Sequence, residues 1–174
     1  VRNQPKATKE LLAPVAPPVM APEKPALLDI AIRRDRLMLI GGSGSGKTTF
    51  MQHMVANKEG DVIVCDPDDD RDTWPSNAVV IGGGEDWRAI ENELMSFVAE
   101  KKRRYQARAN GEKIFPPVYL VLDEWYKTIQ YIEGGKYLKE MLISLRKVNM
   151  GVMVVSQSDR ASALGLSGNF DLMS

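Results

Sequence analysis

The sequence predicts an α/β domain with a mainly parallel sheet and helices on both of its faces. Two observations support this fold class. Apolar runs alternate with segments of helical periodicity between residues 27 and 174. The runs are apolar at nearly every position, which is typical of strands that are covered on both faces by helices.

Five runs are expected as strands and three segments as helices. The predicted strands are 36–40, 61–66, 78–81, 118–122 and 151–156, and the predicted helices are 49–57, 86–110 and 136–148. The strand at 36–40 is expected to be buried, and the strand at 78–81 to be short or at an edge. The basic run at 101–104 is expected to be a solvated helix face.

Proline content separates the first residues from the rest of the chain. Residues 1–26 hold six of the ten prolines, a composition that favours extended conformations. We interpret 1–26 as a Pro-rich linker or disordered arm, with a docking motif as the alternative. Residues 27–174 are expected to form one domain.

Composition and charge exclude several classes of protein. The formal net charge is zero, so the chain as a whole lacks the positive charge that is typical of nucleic-acid binders. A ring could still concentrate basic residues on one surface. Cys65 is the single cysteine, which excludes an internal disulfide and suits a reducing compartment. No apolar stretch approaches the roughly 20 residues of a membrane span. We therefore expect a cytoplasmic domain, with any membrane tether outside this chain.

The segment after the first predicted strand fits the phosphate-loop pattern G-x-x-x-x-G-K-[ST]. Glycines let backbone N–H groups turn toward phosphate oxygens, and the following helix points its positive end at the anion. Lys47 can reach the β- and γ-phosphates, and the Thr48 hydroxyl can ligate Mg²⁺. A flexible Gly/Ser linker is the alternative, which the flanking strand and helix disfavour. The residues expected to bind the nucleotide are Gly41, Gly42, Ser43, Gly44, Ser45, Gly46, Lys47, Thr48 and Thr49.

Two acids follow the predicted strand at 118–122. Asp123 is the candidate ligand of Mg²⁺, directly or through water. Glu124 is the candidate general base for an attacking water, because a proton acceptor beside the metal should not itself ligate the metal. An acid pair that merely faces solvent is the alternative. Together with the phosphate loop, the pair favours a hydrolytic site for ATP and Mg²⁺.

Two further residues are weaker candidates. Gln157 follows a strand that should lie next to the Asp123 strand, so it could sense the γ-phosphate, or it could begin a surface loop. Arg146, beside Lys147, lies near the end of a predicted helix. It could complement the negative helix end, or it could act as an arginine finger on a neighbouring subunit's nucleotide.

These residues resemble the FtsK/HerA superfamily of P-loop motor ATPases, and FtsK-like motors most closely, over about residues 27–172. Besides the two nucleotide motifs, the order and spacing of several segments are similar. The segments are the strand 62–67 ending in Asp-Pro, the helix 97–105 ending in Glu-x-x-Arg-Arg-Tyr, the strand 116–125, the strand 150–157 ending in Ser-Gln, and Gly168-Asn169-Phe170.

The resemblance implies a RecA-like ATPase that assembles into a ring, usually hexameric, and translocates double-stranded DNA. It assigns nucleotide and Mg²⁺ binding to Lys47 and Thr48, hydrolysis to Asp123 and Glu124, and γ-phosphate sensing to Gln157. The family's basic residue before the last strand falls near Val148, so Arg146 is only an approximate match. Relative to a complete motor core, the chain is expected to lack the final strands and helix.

Three other functions remain open from the sequence. A conjugation or secretion ATPase that moves protein or nucleoprotein would share these motifs. A nucleotide-dependent switch module would use the same loop without a motor. A small-molecule kinase is disfavoured, because Glu124 suits the activation of water.

Overall fold

The parallel sheet predicted from the sequence is confirmed. The computed structural model describes residues 27–70, 73–158 and 160–166. Within these residues, five strands form one sheet with the order β1-β5-β4-β2-β3, and every pair is parallel. The strands are β1 (Arg36–Ile40), β2 (Asp61–Cys65), β3 (Ala78–Ile81), β4 (Val118–Leu122) and β5 (Met150–Ser156).

Helices connect the strands and cover the sheet. They are α1 (Leu27–Ile32), α2 (Lys47–Ala56), α3 (Trp87–Ala109), α4 (Trp125–Thr128) and α5 (Gly134–Leu142), with short 3-10 helices at Leu145–Val148 and Ala161–Leu164. None of the helices in the described ranges is long and apolar enough to cross a membrane. The predicted arm at 1–26 and the Gly168-Asn169-Phe170 motif lie outside the described residues.

Alternate residues of the central strands pack on opposite faces of the sheet. On one face, Leu120 and Val152 pack with apolar residues of α3 and α5. On the other face, Val121 and Met153 pack with residues of α1 and α2. Burial on both faces explains why these strands are apolar throughout and confirms the expected three-layer arrangement.

One predicted helix is interrupted. The sequence predicts a helix at 136–148, but α5 ends at Leu142. Ser144 then has φ 63°, in the left-handed region, and a 3-10 helix follows from Leu145 to Val148. Leu145 and Val148 are still buried. The apolar spacing therefore identifies the core positions correctly, whereas the break in the helix depends on a backbone conformation that the spacing does not reveal.

The burial predicted for the first strand is wrong. Residues 37–39 of β1 are half-buried and Arg36 and Ile40 are exposed, because β1 pairs only with β5 among the described strands. An edge strand has a neighbour on one side only, and less of it is covered.

The solvated-face interpretation of the run at 101–104 is also wrong for two of its four residues. Lys101 and Arg104 are 7% and 3% exposed. The Arg104 guanidinium donates to the Glu100 carboxylate at 2.7 Å and to the carbonyls of Pro116 and Val148 at 2.6 and 3.0 Å. Helix α3 is thereby fastened to the starts of β4 and β5.

Candidate functional site

The carboxyl ends of the strands bring most of the candidate residues to one edge of the sheet. In a parallel sheet, the segments that follow the strands meet at the same edge. Strand β5 lies between β1, which carries the phosphate loop, and β4, which carries Asp123 and Glu124. Gln157, directly after β5, therefore stands between the loop and the acid pair.

The phosphate loop joins β1 to α2 in a conformation that depends on glycine. Gly46 precedes the first residue of α2 and has φ 82°, a left-handed value that residues with a Cβ seldom adopt. A Cβ built on Gly46 would meet no atom within 4 Å, so the space over the loop is open. The helix begins at Lys47, whose Nζ donates to the carbonyl oxygen of Gly42 at 2.9 Å. The amine thus lies across the mouth of the loop.

Hydrogen bonds link the candidate residues of three strand ends. Thr48 Oγ1 donates to Asp123 Oδ2 at 3.0 Å. Asp123 Oδ1 accepts the backbone N–H of Glu124 at 2.9 Å. Gln157 Nε2 donates to Glu124 Oε2 at 3.2 Å. Four residues that are up to 109 positions apart in the sequence thus form one continuous chain of contacts.

Asp123 is almost fully buried at this edge, with 2% of its surface exposed. Burial raises the pKa of its carboxyl group to about 6, and the hydrogen bonds from Glu124 N–H and Thr48 only partly oppose that effect. A bound cation would oppose this effect, because a nearby positive charge favours the ionised carboxylate and so lowers its pKa.

Glu124 is held in an unusual backbone conformation. Its φ and ψ are 44° and 41°, a left-handed geometry that costs a non-glycine residue about 1–3 kcal/mol. The helix that follows fixes it: the N–H and hydroxyl of Thr128 donate to the Glu124 carbonyl. The indole of Trp125, which has no exposed surface, donates to the carbonyl of Leu164. The strain is therefore supported by a well-anchored α4.

Sequence reasoning did not find the role of Trp74. Asp66, which follows β2, is 5% exposed and accepts the Trp74 indole N–H at 2.8 Å and the Asp68 N–H at 2.9 Å. Burial raises the pKa of Asp66. Because Asp66 begins a run of acids that includes Asp68, Asp69 and Asp70, the sequence predicts a solvated loop in which the charges repel one another, and this prediction is wrong for the buried Asp66. No spacing rule links it to Trp74, so only the structure could reveal this contact.

Lys127 is a second residue that the sequence did not single out. Its Nζ lies 2.5 Å from Asp68 Oδ1 and 2.7 Å from Glu85 Oε1. These ion pairs tie α4, one turn after Glu124, to the loops after β2 and β3. The Lys127 charge is therefore already neutralised by two carboxylates.

Arg146 does not join the other candidates within one chain. It lies in the 3-10 helix before β5, and it is exposed beside Arg36, the first residue of β1. This is the amino end of the parallel strands, whereas the phosphate loop follows their carboxyl ends. Its guanidinium therefore lies at the opposite edge of the sheet from the Thr48–Gln157 chain of contacts.

The donor groups fit ATP with Mg²⁺. The Thr48 hydroxyl and the Asp123 carboxylate are hard oxygen donors, which Mg²⁺ prefers, and the open loop beside them has room for phosphates. The described residues include no cluster of three or more His, Cys, Asp or Glu side chains suited to a metal.

Comparison with known proteins agrees with the fold. No protein-family model and no curated protein sequence matches the chain. Among solved structures, the chain is similar to the cytoplasmic domain of the type VII secretion ATPase EccC of Thermomonospora curvata, with TM-score 0.56, 16% identity, and coverage of 74% of this chain and 19% of that one.

It is also similar to the pCW3 conjugation coupling protein TcpA, in a monomer form with ATPγS. That match has TM-score 0.57, 16% identity, and coverage of 79% of this chain and 47% of that one. The chain thus spans less than half of either neighbour. At 16% identity these likenesses show the fold, and they confirm the predicted RecA-like α/β fold.

Proposed function

We propose that this chain is an ATP-hydrolysing motor unit of FtsK/HerA type, which assembles into a hexameric ring and translocates double-stranded DNA. The observation that carries the proposal is the chain of contacts from Thr48 through Asp123 and Glu124 to Gln157. It joins a nucleotide-binding loop to an acid and an amide that can act on the terminal phosphate.

In this proposal the phosphate loop binds ATP. Backbone N–H groups at the start of α2 face the phosphates, and Lys47 exchanges the Gly42 carbonyl for phosphate oxygens. Thr48 and Asp123 hold Mg²⁺, which when bound neutralises charge on the β- and γ-phosphates. When Lys47 contacts phosphate, its hydrogen bond to the Gly42 carbonyl is broken, so nucleotide binding changes a contact within the loop.

Glu124 is assigned the role of general base. Its carboxylate is partly exposed at the end of β4, where a water can approach and lose a proton to it. Its carboxylate accepts the Gln157 amide at 3.2 Å, whereas the Asp123 carboxylate accepts the Thr48 hydroxyl at 3.0 Å. Base catalysis of this kind contributes about 10²- to 10⁴-fold to a rate.

Gln157 is assigned to sensing the γ-phosphate. Its amide donates to Glu124 in the structure, and with ATP bound the same amide could donate to the phosphate instead. Loss of the phosphate after hydrolysis would return the amide to Glu124. The state of the nucleotide would then be reported to the loop after β5.

Arg146 is assigned a role on a neighbouring copy. Because it lies at the amino edge, it can reach a nucleotide only across a subunit interface, as an arginine finger does. This assignment depends on the ring. We propose that the ring forms and that it does so in the cytoplasm.

Two experiments test the proposal. Glu124→Gln should bind ATP normally but lower the hydrolysis rate by at least about 10²-fold, with the exposed Glu112→Gln as a control of equal charge change. Unchanged hydrolysis would remove Glu124 from its role.

Duplex DNA should also stimulate the ATPase of the wild-type protein, and nucleotide should shift its mass above that of a monomer in light scattering.

The names of the two neighbours indicate a second candidate function. One is a secretion ATPase and the other a conjugation coupling protein, so the motor could move protein or nucleoprotein instead. ATPase stimulation by a protein substrate and not by duplex DNA would favour that alternative. A chain that stays monomeric with ATP and hydrolyses it no faster with any substrate would favour a nucleotide-dependent switch.

A further inference from the structure

The segment 157–164, which follows β5, contacts the residues after β4 at both of its ends. At its start, Gln157 Nε2 donates to Glu124 Oε2 at 3.2 Å. At its far end, the carbonyl of Leu164 accepts the indole N–H of Trp125 at 3.2 Å. Glu124 and Trp125 are consecutive in the sequence. The segment is therefore attached twice to the same short stretch of chain.

The far attachment, from Trp125 to Leu164, lies in the core. Neither residue has exposed surface, and both belong to the hydrophobic cluster that α3 and α5 form on one face of the sheet. The benzene ring of Trp125 lies against Gly134 at the start of α5, where a Cβ would come within 2.6 Å of it. A Cβ built on Gly135 would overlap the carbonyl of Gly165, directly after the segment. The position of Leu164 is thus fixed by α4 and α5 together.

The near attachment, from Gln157 to Glu124, lies at the surface. Gln157 is exposed and Glu124 is partly exposed. A hydrogen bond at such a place is readily exchanged for hydrogen bonds to water, and its net contribution is modest. The buried attachment at Leu164 is therefore the one that holds the segment beside Glu124 when the Gln157 amide leaves the carboxylate.

We infer that Trp125 is a positioning residue of the hydrolytic site: its indole N–H holds the segment 157–164 so that the Gln157 amide meets the γ-phosphate beside Glu124. This inference rests on the proposed function, in which Gln157 senses the γ-phosphate. Since Trp125 has no exposed surface, it acts through Gln157 and does not itself contact the nucleotide. The catalytic acid and the sensing amide are then both positioned from the start of α4.

The inference predicts that Trp125 affects how the site distinguishes ATP from ADP. In the proposed function Gln157 contacts only the γ-phosphate, whereas the phosphate loop also binds the phosphates that ADP retains. Misplacing Gln157 should therefore weaken the binding of ATPγS and leave the binding of ADP unchanged. The ratio of the two dissociation constants measures the position of Gln157 without requiring hydrolysis.

The first test compares Trp125→Phe with Trp87→Phe by calorimetric titration of ATPγS and of ADP, each with Mg²⁺. Trp125→Phe keeps a buried aromatic ring and removes the indole donor, so its preference for ATPγS should fall about tenfold, as for one lost hydrogen bond. Trp87 begins α3 and stacks on Tyr131 with the ring centroids 4.4 Å apart. Phenylalanine can keep that stack, so Trp87→Phe should keep the wild-type preference. An unchanged preference in Trp125→Phe overturns the inference.

A second variant disturbs the same attachment without altering Trp125. Gly135→Ala places a methyl group against the Gly165 carbonyl and should move the end of the segment away from α5. Alanine favours a helix more than glycine does, so α5 itself is retained. Gly135→Ala should reproduce the loss of ATPγS preference, and it tests the inference even where Trp125→Phe does not fold. A folded Gly135→Ala protein with the wild-type preference would contradict the inference.

Combining two variants shows whether Trp125 acts through Gln157. Gln157→Ala should lower the preference for ATPγS by at least about tenfold, because a hydrogen bond to a charged phosphate is lost. If Trp125 only positions Gln157, the double variant Trp125→Phe/Gln157→Ala should lose no more preference than Gln157→Ala alone. Losses that multiply would show that Trp125 acts independently of Gln157, and the inference would be wrong.

Failure of the proposed function gives a different result. An unchanged preference in Gln157→Ala would refute the γ-phosphate sensor and, with it, the inference. A reduced preference in Gln157→Ala together with the wild-type preference in Trp125→Phe would refute the inference alone. A protein that binds ATPγS but never hydrolyses ATP would refute the motor, and the calorimetric comparison would still decide the role of Trp125.

Discussion

Arg104 offers a quantitative test of how the fold is held together at the amino edge of the sheet. Arg104→Met keeps most of the packed stem but removes the guanidinium, which is 3% exposed. The carbonyls of Pro116 and Val148 lose their 2.6 and 3.0 Å donor. The buried Val148 carbonyl left without a partner costs about 1–3 kcal/mol, and the partly exposed contacts with Pro116 and Glu100 add less, so the free energy of unfolding should fall by about 2–4 kcal/mol.

Arg103→Met is the matched control. Arg103 pairs with the same carboxylate of Glu100 at 2.7 Å, but 61% of its side chain is exposed, and exposed ion pairs contribute only about 0–1 kcal/mol. Equilibrium unfolding in urea measures both variants. With a slope of about 2 kcal/mol per molar urea, the Arg104→Met midpoint should fall by about 1–2 M.

A clear result would refute this reasoning. If Arg104→Met lowered the unfolding free energy by no more than Arg103→Met, the buried guanidinium would not be the link between α3 and the strands. Should Arg104→Met fail to fold, Arg104→Lys provides the intermediate case. It keeps one charge but cannot reach Glu100 and both carbonyls together, so its loss should lie between those of the other two variants.

Three further predictions concern the carboxyl edge. Asp123 has a folded-state pKa of about 6, above its ordinary 3.8, so the folded protein holds this proton more tightly than the unfolded chain does. The free energy of unfolding of the nucleotide-free protein should therefore fall as the pH rises through 6. In urea titrations between pH 5 and 7.5, this fall should be about 1–2 kcal/mol larger than that of Asp123→Asn. Thr48→Val should raise the Mg²⁺ concentration needed for tight ATP binding about tenfold, and an unchanged Mg²⁺ titration would exclude its hydroxyl as a ligand. Gly134→Ala should destabilise the fold by about 1–3 kcal/mol in thermal unfolding, since its Cβ would lie 2.6 Å from the Trp125 ring.

The sequence predicted the fold where local patterns and tertiary packing agree. Strands β4 and β5 are apolar at nearly every position, and their burial on both faces follows directly. Helix α3 was predicted within one residue at each end. The Asp86 side chain caps its first turn by accepting the Ala89 N–H, a local signal that a sequence carries.

The prediction failed where burial depends on distant neighbours. Nothing in the run at 101–104 distinguishes Arg104 from Arg103, yet one is buried and the other exposed. The difference arises from the starts of β4 and β5, which approach one side of α3 only. Similarly, α5 ends before Ser144 because of a left-handed backbone conformation, which apolar spacing cannot indicate.

The sequence by itself determined the chemistry available to this protein, because a phosphate loop and an acid pair are local arrangements of residue types along the chain. Only the tertiary structure decided which of those groups meet. Parallel strands bring Thr48, Asp123, Glu124 and Gln157 to one edge and leave Arg146 at the other with three more arginines. The sequence predicts parallel strands, but their order and register depend on contacts between distant segments. For that reason the individual side-chain contacts, and the position of Arg146 at the amino edge, could not be derived from the order of residues alone.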